Sequence, residues 1–300
     1  MIIARLIGGL GNQMFQYAMG RHLAETNSTL LKVDLSGFET YKLHRYALHC
    51  FKIWEHVATM EEIAAYMGKN VSRTAMPLSN IARRWLGLSS VTSDIYHNTV
   101  ILREKQFSFD PSVIEVKGNI YTDGYWQSEK YFSEIRDLLL REFAFKYEQD
   151  AKNREIADKI KKTESISLHI RRGDYVRNSM TNQVHGLCSI DYYQEAVNYI
   201  VRKIPMCHFY IFSDDHAWVR ENFTLDYPFT MVDHNDASRN YEDMRLMSLC
   251  HHNIIANSSF SWWGAWLNTN SDKIVCAPKK WFNDPTRNAK DLIPESWVKI

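Results

Sequence analysis

Short apolar segments alternate with amphipathic helical segments through the second half of the chain, and this alternation constrains the fold more than any other feature. Strands separated by about a dozen residues of helical periodicity predict a parallel β-sheet with helices on its faces. The predicted strands are 165–170, 207–212, 253–256 and 273–277, and the predicted helices are 191–203, 240–250 and one that begins at Ser259. Ligands of such sheets bind beyond the carboxyl ends of the strands, so polar residues there are the candidates for a functional site.

The first half opens with a related unit. An apolar run at 2–7 ends in a glycine-rich turn at 8–11, a helical pattern follows, and a second strand is predicted at 30–35. This order is typical of doubly wound α/β proteins.

The rest of the first half is less regular. Residues 40–115 predict only irregular structure with helices, and 128–143 predict an amphipathic helix. The polar stretch 146–164 predicts a domain boundary. We therefore expect an α/β chain with two Rossmann-like domains, residues 1–160 and 161–300, whose parallel sheets face a central cleft.

Charge and hydropathy exclude several classes of protein. The 36 Lys and Arg residues against 35 Asp and Glu leave a net charge of +1, so no overall field attracts nucleic acid or an anionic membrane surface. No apolar run approaches the ~18 residues of a spanning helix, and the N-terminus lacks the pattern of a secretory signal. The five cysteines are scattered, which favours reduced thiols. We expect a soluble cytoplasmic protein that binds no nucleic acid and has no transmembrane segment.

Two adjacent arginines follow the strand 165–170. Arg171 and Arg172 stand at the mouth of the predicted sheet, with His169 at the last inward position of the strand and Asp174 placed to orient one guanidinium group. Because the planar guanidinium fork binds phosphate through two hydrogen bonds, the pair predicts a phosphate clamp. A surface salt-bridge cluster with a packed histidine is the alternative that the motif leaves open.

Serines begin the helix that follows the strand 253–256. Ser258 and Ser259 offer hydroxyls and free backbone N–H groups to an anion, at a point where the helix dipole also favours negative charge. Alone, this motif favours an ordinary serine helix cap followed by tryptophans of the core. Beside the two arginines at a neighbouring strand end, it predicts a diphosphate site.

Carboxylates follow a third strand. Ser213, Asp214 and Asp215 come after the strand 207–212, and Asp243 lies on the next helix. These carboxylates would accept hydrogen bonds from ribose hydroxyls or from guanine, with helix capping as the alternative for Asp214 and Asp215. The chain contains no D-x-D triplet, so we assign the diphosphate charge to the arginines and the helix N-terminus and predict no metal.

The glycine turn at 8–11 admits two interpretations. It resembles a dinucleotide fingerprint, with Asp34 at the ~20-residue separation of a ribose-binding acid, although Met14 replaces the third glycine. An NAD(P)-dependent oxidoreductase is therefore one alternative function. In the other interpretation the glycines let the backbone approach a ligand closely, while Asn12 and Gln13 present their amides to it. A non-catalytic carbohydrate-binding protein that uses the nine tryptophans is a third alternative.

Four blocks together resemble the α-1,2-fucosyltransferase family: GGLGNQMFQYA at 8–18, DGYWQSEKYF at 123–132, HIRRGDY at 169–175 and SSFSWWGAWL at 258–267. They span most of the chain in the family's order. The resemblance implies a GT-B architecture and transfer of fucose, with inversion, from GDP-β-L-fucose to the 2-hydroxyl of a terminal β-galactose. It also implies that neither a metal nor a cofactor is needed, since GDP-fucose is a substrate.

Animal members of that family carry an amino-terminal membrane anchor that this chain lacks, so the resemblance implies a bacterial cytosolic enzyme. The acceptor stays open among lactose, N-acetyllactosamine, other β-galactosides and lipid-linked oligosaccharides. Peripheral association with the inner membrane is open for the same reason.

The resemblance assigns roles to individual residues. Arg171 would neutralise the departing diphosphate, with Arg172 and Asp174 supporting the loop, His169 near the nucleotide, and Asn12 reaching across the cleft. We name Arg171, Asn12 and His169 as catalytic. The predicted donor-binding residues are Gly11, Asn12, His169, Arg171, Arg172, Asp174, Ser213, Asp214, Asp243, Asn257, Ser258, Ser259 and Phe260.

The acceptor is expected in the first domain. The predicted acceptor-binding residues are Asp123, Tyr125, Trp126 and Gln127, where aromatic rings suit the apolar face of a sugar; domain packing is the alternative for this block. An inverting displacement usually uses a general base, and Asp123, Glu129 and Asp34 are the candidates.

Overall fold

The computed structural model describes residues 1–41, 43–68, 99–173, 176, 183, 184 and 186–300. Asp174, one of the predicted donor-binding residues, lies outside these ranges. Within them, no helix combines the length and the apolar character needed to cross a membrane.

Two sheets, parallel throughout, organise the chain. The first has the strand order β2-β1-β4-β3 and the second the order β10-β9-β8-β5-β6-β7. The strands of the first sheet are β1 (Ile2–Arg5), β2 (Leu31–Asp34), β3 (Thr99–Arg103) and β4 (Asn119–Asp123). Those of the second are β5 (Ser165–Ile170), β6 (His208–Ser213), β7 (Phe229–Val232), β8 (His252–Ile254), β9 (Val275–Ala277) and β10 (Val298–Lys299). The predicted α/β fold with parallel sheets is confirmed, while the division at residues 160 and 161 stays a prediction.

Helices cover the faces of both sheets. In chain order they are α1 (Leu10–Thr26), α2 (Gly37–Thr40), α3 (Met60–Tyr66), α4 (Pro111–Ile114), α5 (Arg136–Glu142), α6 (Ala151–Lys161), α7 (Ile190–Val201), α8 (His216–Asn222), α9 (Asn240–Leu249) and α10 (Ser259–Leu267), with short 3₁₀ turns at Leu48–Cys50, Glu129–Tyr131 and Ser133–Ile135. The helix predicted over 128–143 is therefore two 3₁₀ turns followed by the short α5. The polar stretch 146–164 contains α6, which begins at the Asp150 cap and packs against α9.

The strands β1, β2, β5, β6, β8 and β9 were predicted, whereas β3, β4, β7 and β10 were missed. β5 is buried at all six positions and pairs with β6 and β8, although Ser165, Ser167 and His169 alternate with its apolar residues. β3 and β7 lie at sheet edges and keep partly exposed side chains. β3 lies within residues 40–115, for which the sequence predicted only irregular structure with helices, and β7 is only four residues long.

An aromatic cluster joins the two halves. Phe15 of α1 packs with ring centroids 4.5 Å from Trp262 and 5.0 Å from Trp263 of α10. The indole of Trp263 also donates a 2.9 Å hydrogen bond to the carbonyl of Gly11. The start of α1 is thus fixed against the start of α10, and this contact positions the site described next.

Candidate active site

A cleft of about 530 Å³ lies where the carboxyl ends of the two sheets meet. Its walls come from the segments that follow all four strands of the first sheet and β5, β7, β8 and β9 in the second. The lining residues include Gly9, Gly11, Asn12, Phe107, Tyr125, Gln127, Arg171, Asn240, Asn257, Ser258, Ser259, Phe260 and Trp281. Two parallel α/β sheets that face one cleft are the GT-B arrangement predicted from the sequence.

Two helix N-termini meet in this cleft. Asn12, in the first turn of α1, accepts 2.8 Å hydrogen bonds through its Oδ1 from the Ser259 hydroxyl and from the Gln127 amide. Neither α1 nor α10 carries an acidic residue in its first turn. Because the positive ends of both helix dipoles reach the same cleft without an internal counter-charge, the cleft favours a bound anion.

Gly11 makes this arrangement possible. A Cβ at this position would lie 2.5 Å from the backbone C and O atoms of Ser259. The absence of a side chain at Gly11 therefore lets the start of α1 pack directly against the start of α10. Gln13, by contrast, is fully buried and binds the backbone of Gly8, Arg45 and Ala47, so it presents no amide to a ligand.

Arg171 lines the cleft from the end of β5. Its Nη1 lies 3.1 Å from Asp214 Oδ2, and Asp214 Oδ1 accepts the backbone N–H of Arg172. Burial alone would raise the pKa of Asp214, but Arg171 and the Arg172 amide outweigh it and hold that pKa below its ordinary value. Asp214 is thus an ionised anchor that orients Arg171.

Arg172 lies elsewhere. Its guanidinium stacks on the ring of Trp218, 3.6 Å from the centroid, and its Nε lies 3.7 Å from Asp215. Asp215 in turn caps α8. Of the two arginines, the cleft lining includes only Arg171 among the residues that the structure describes, so the predicted clamp of two adjacent guanidinium groups is not formed here.

His169 is buried behind the cleft. Its ring centroid lies 5.7 Å from that of Phe260, which does line the cleft. Burial, aided by the charge of Arg171, lowers the pKa of His169 well below its ordinary value, so the imidazole is neutral at pH 7. The arrangement suits a positioning residue for Phe260 rather than a group that touches substrate.

Three other predicted donor residues are occupied by the protein itself. The Ser213 hydroxyl accepts from the Asp215 amide, and Asn257 donates to the carbonyls of Gly186 and Trp281. Asp243 accepts a 2.8 Å hydrogen bond from Asn235. It sits one turn after Asn240, which lines the cleft.

Only two of the four predicted acceptor-binding residues line the cleft. Tyr125 and Gln127 line the cleft, but Trp126 is 2% exposed and packs edge-on against Tyr131. Asp123 lies outside the lining and forms a 2.8 Å ion pair with Arg5. Trp126 has a positive φ of 56°, so the backbone turns at this residue and its ring packs inward while Tyr125 and Gln127 face the cleft. The structure thus places Trp126 and Asp123 outside the lining.

The other base candidates are also placed away from the cleft. Asp34 is buried, where it accepts the Tyr121 hydroxyl at 2.6 Å and the Ser36 amide at 2.8 Å. Glu129 accepts the indole N–H of Trp266 at 3.2 Å. The engagement of Asp34 also removes the ribose-binding acid that the dinucleotide interpretation requires.

Sequence reasoning missed several residues of the cleft. Tyr41 and His44 come from the loop after α2, Phe107 from the loop after β3, and Trp281 and Arg287 from the loop after β9. The His44 ring lies against Gly9, with its nearest atoms 3.6 Å from a Cβ built there. These residues sit in segments without a periodic pattern, and only the rule that loops at strand ends carry function points to them.

The whole chain, residues 1–300, matches the model of the family described as Glycosyl transferase family 11. The α-1,2-colitosyltransferase of Escherichia coli is 34% identical, with an alignment that covers 100% of this chain and 98% of that protein. The galactoside 2-alpha-L-fucosyltransferase SEC1 of Bos taurus is 24% identical, covering 70% of this chain and 58% of that protein. Among solved structures, a mutant of Arabidopsis thaliana FUT1 in complex with GDP aligns with a TM-score of 0.49 at 11% identity, covering 99% of this chain and 75% of that chain. With its entire length matched by one family model, the chain belongs to glycosyl transferase family 11 and is a glycosyltransferase.

Proposed function

We propose that this glycosyltransferase transfers L-fucose from GDP-β-L-fucose to the 2-hydroxyl of a terminal β-galactose, with inversion at the anomeric carbon. The observation that carries the proposal is the convergence of two helix N-termini and Arg171 on one cleft between the sheets. Together they supply positive potential for a diphosphate without a metal ion or a cofactor.

The donor's diphosphate fits the α10 side of the cleft. Ser258 caps α10 by accepting the Phe260 amide, and Ser259 directs its hydroxyl to Asn12. Arg171 faces the same space from β5. As the bond from the anomeric carbon to the phosphate oxygen breaks, the electron pair stays on GDP, and these groups stabilise the charge that grows there.

A colitose donor is the second candidate, because the α-1,2-colitosyltransferase of E. coli is 34% identical over the full chain. Colitose is L-fucose without its 3-hydroxyl, so the two donors offer the same nucleotide and differ at one polar group. A site built to hydrogen-bond that hydroxyl would reject the deoxy sugar strongly, whereas an apolar site would accept both.

The test is transfer to lactose and to other β-galactosides with GDP-fucose, GDP-colitose or GDP-mannose, in the presence of a chelator. We expect an α-1,2-fucosyl product by NMR and the highest kcat/KM with GDP-fucose. A higher kcat/KM with GDP-colitose selects the second candidate. Linkage to a hydroxyl other than the 2-hydroxyl contradicts both.

Asp243 is proposed to accept hydrogen bonds from the guanine base. Burial raises the pKa of its carboxyl to about 7, although the Asn235 amide opposes the shift. The protonated carboxyl has one oxygen occupied by hydrogen, so only the ionised form accepts two guanine N–H groups. GDP affinity is therefore expected to increase as the pH rises through about 7.

Asp243→Asn should weaken GDP binding by about 10- to 100-fold at pH 8, since hydrogen bonds to charged groups are worth roughly 1.5–3 kcal/mol, and should remove that pH dependence. Isothermal titration calorimetry of GDP between pH 6 and 8 measures both effects. Asp272→Asn, on an exposed carboxylate, is the control and should bind GDP like the parent. Unchanged affinity in the Asp243 variant would exclude the guanine contact.

His44 is the group we assign to the acceptor proton. It lies in the cleft wall formed by the first half of the chain and packs against Gly9, the N-cap of α1. Among the described residues that line the cleft, His44 is the one imidazole, and its neutral form has a ring nitrogen that can accept a proton. As the galactose oxygen bonds to the anomeric carbon, its proton passes to a ring nitrogen of His44.

His44→Gln is expected to lower kcat by about 10²–10⁴-fold, the usual contribution of general-base catalysis, and to flatten the acidic limb of the kcat/KM profile. His49→Gln tests specificity, since His49 is exposed on the same segment outside the cleft, and should leave the rate unchanged. A parental pH profile in the His44 variant would exclude it as the base.

A further inference from the structure

The turn that follows β4 folds around a single side chain, that of Glu104. Glu104 comes directly after β3, and its backbone N–H donates a 3.0 Å hydrogen bond to the carbonyl of Asp123. Its two carboxylate oxygens accept the backbone N–H groups of Tyr125 at 2.7 Å and of Trp126 at 3.0 Å. Gly124 packs against the same side chain, because a Cβ there would lie 2.4 Å from the Glu104 Cβ. The turn is therefore tied to Glu104 by three hydrogen bonds.

The carboxylate of Glu104 fixes the backbone on both sides of Tyr125. The two N–H groups that it binds belong to the two planar peptide groups that flank the Tyr125 Cα, and the rotations between these groups are the only soft ones in the backbone of that residue. The next residue, Trp126, has a φ of 56°, in the left-handed region that side chains other than glycine rarely adopt. Such a conformation persists only where the surrounding structure determines it, and the hydrogen bonds to Glu104 do so here.

This backbone conformation decides which ring faces the cleft. Trp126 turns inward, where it packs against Tyr131, while Tyr125 lines the cleft. The Tyr125 ring stacks on Phe107, with centroids 6.3 Å apart and planes 13° apart, and Phe107 packs in turn 4.9 Å from Phe282. Tyr125 thus presents its ring at the end of a row of aromatic side chains, and the apolar face of a sugar ring suits such a surface.

Glu104 acts from behind this surface. The lining of the cleft, over the residues that the structure describes, includes Tyr125 and Arg287 but not Glu104. Burial raises the pKa of the Glu104 carboxyl, while the amides of Tyr125 and Trp126 and the charge of Arg287 oppose the shift. Because both carboxylate oxygens are engaged by backbone amides, Glu104 acts on a ligand only through the residues that it holds.

We propose that Glu104 is a positioning residue for the acceptor, which it serves by fixing Tyr125 so that the tyrosine ring packs against the acceptor sugar. This inference rests on the proposed function, because it takes a β-galactoside in the cleft as its starting point. It assigns acceptor affinity to Glu104 and leaves the donor side, at Arg171 and the start of α10, independent of it.

Glu104→Gln tests the proposal. The glutamine side chain has one oxygen and one NH₂ group, so it accepts one backbone N–H group and meets the other with a donor. We expect KM for the β-galactoside to increase about tenfold, the effect of losing one hydrogen bond to a charged group. The donor KM and kcat should stay at the parental values, because the ring contact is the same in the ground state and the transition state. Steady-state kinetics with each substrate varied in turn measures the three constants.

Tyr125→Ala separates positioning from a general role of Glu104 in folding. Alone, it should raise the acceptor KM at least as much as Glu104→Gln does. In the double variant the effect of Glu104→Gln should disappear, because the ring through which Glu104 acts is gone, whereas the effects of independent sites add. Glu115→Gln, on an exposed glutamate outside the cleft lining, is the matched control and should equal the parent in all three constants.

A parental acceptor KM in Glu104→Gln would overturn the proposal, and so would effects of Glu104→Gln and Tyr125→Ala that add. Thermal unfolding checks that Glu104→Gln folds. If it does not, Glu104→Asp replaces it in the same cycle, since aspartate keeps the charge but is one methylene too short to reach both amides, and the same non-additive increase in acceptor KM is expected. Failure of the proposed function looks different, because the parent itself would then transfer no fucose to a β-galactoside.

Discussion

An Arg171→Lys enzyme is expected to fold like its parent and to lose about 10²–10³-fold in kcat, the loss typical of removing one group that stabilises transition-state charge. Arg171 lines the cleft and is oriented by Asp214, 3.1 Å from its Nη1. Lysine keeps a positive charge beside Asp214, so that carboxylate is not left uncompensated. What lysine lacks is the guanidinium fork that binds two diphosphate oxygens at once.

The rate loss should appear in kcat more than in KM for the donor, because the charge on the diphosphate grows as the bond to the sugar breaks. Steady-state kinetics with the donor and a β-galactoside measures both constants, and thermal unfolding checks the fold. Arg154→Lys, on an exposed arginine of α6, should match the parent. An Arg171→Lys enzyme within tenfold of parental kcat would remove Arg171 from the mechanism.

The role of Asp214 in the structure differs from the role that its sequence motif predicted. The sequence placed Asp214 among the ligands of the donor, but the structure uses it to hold Arg171 and the Arg172 amide. Gly173 shows how close this contact is, since a Cβ there would lie 2.3 Å from Asp214 Oδ2. Asp214 therefore holds Arg171 of the HIRRGDY block at the cleft. The guanidinium of Arg172 instead stacks on the ring of Trp218.

Local pattern predicted the β-α-β start of the chain and four of the six strands of the second sheet, but missed β4 in the centre of the first sheet. β5 and β6 are almost wholly buried, and both strands were predicted within one residue of their ends. Edge strands such as β7 keep exposed positions and lack that signal. The helix expected over 128–143 breaks into 3₁₀ turns because tertiary contacts, including the Trp266 bond to Glu129, override a regular helical pattern.

In the candidate site, too, residues in recognisable motifs were predicted and residues in irregular loops were missed. Residues in motifs at strand ends, such as Asn12, Arg171 and Ser259, were predicted and line the cleft. The contact of Asn12 with Ser259 joins positions 247 residues apart, and no single segment encodes it. His44 and Arg287 come from loops whose sequences lack a pattern, so their place in the cleft follows only from the packing of the two sheets.

Gly11→Ala is expected to destabilise the protein by about 1–3 kcal/mol, the usual cost of overpacking, and to lower activity about 10²-fold, as a displacement near 1 Å does at a catalytic site. The new Cβ would lie 2.5 Å from Ser259 C and O and 2.7 Å from the Phe260 N. These are backbone atoms at the start of α10 and cannot rotate away. The two helix starts must separate, which weakens the Asn12 bond to Ser259 and the Trp263 bond to the Gly11 carbonyl.

Gly9→Ala is the matched control for stability, because a Cβ at Gly9 would meet its nearest atoms, in the His44 ring, at an ordinary 3.6 Å. Gly9 has φ −73°, which alanine adopts freely, so its free energy of unfolding should fall by less than about 1 kcal/mol, the cost of a poorer N-cap. Urea unfolding of both variants, with kinetics of Gly11→Ala, measures the difference. If both alanines cost the same, the helix starts can part without strain, and their close contact does not define the anion site.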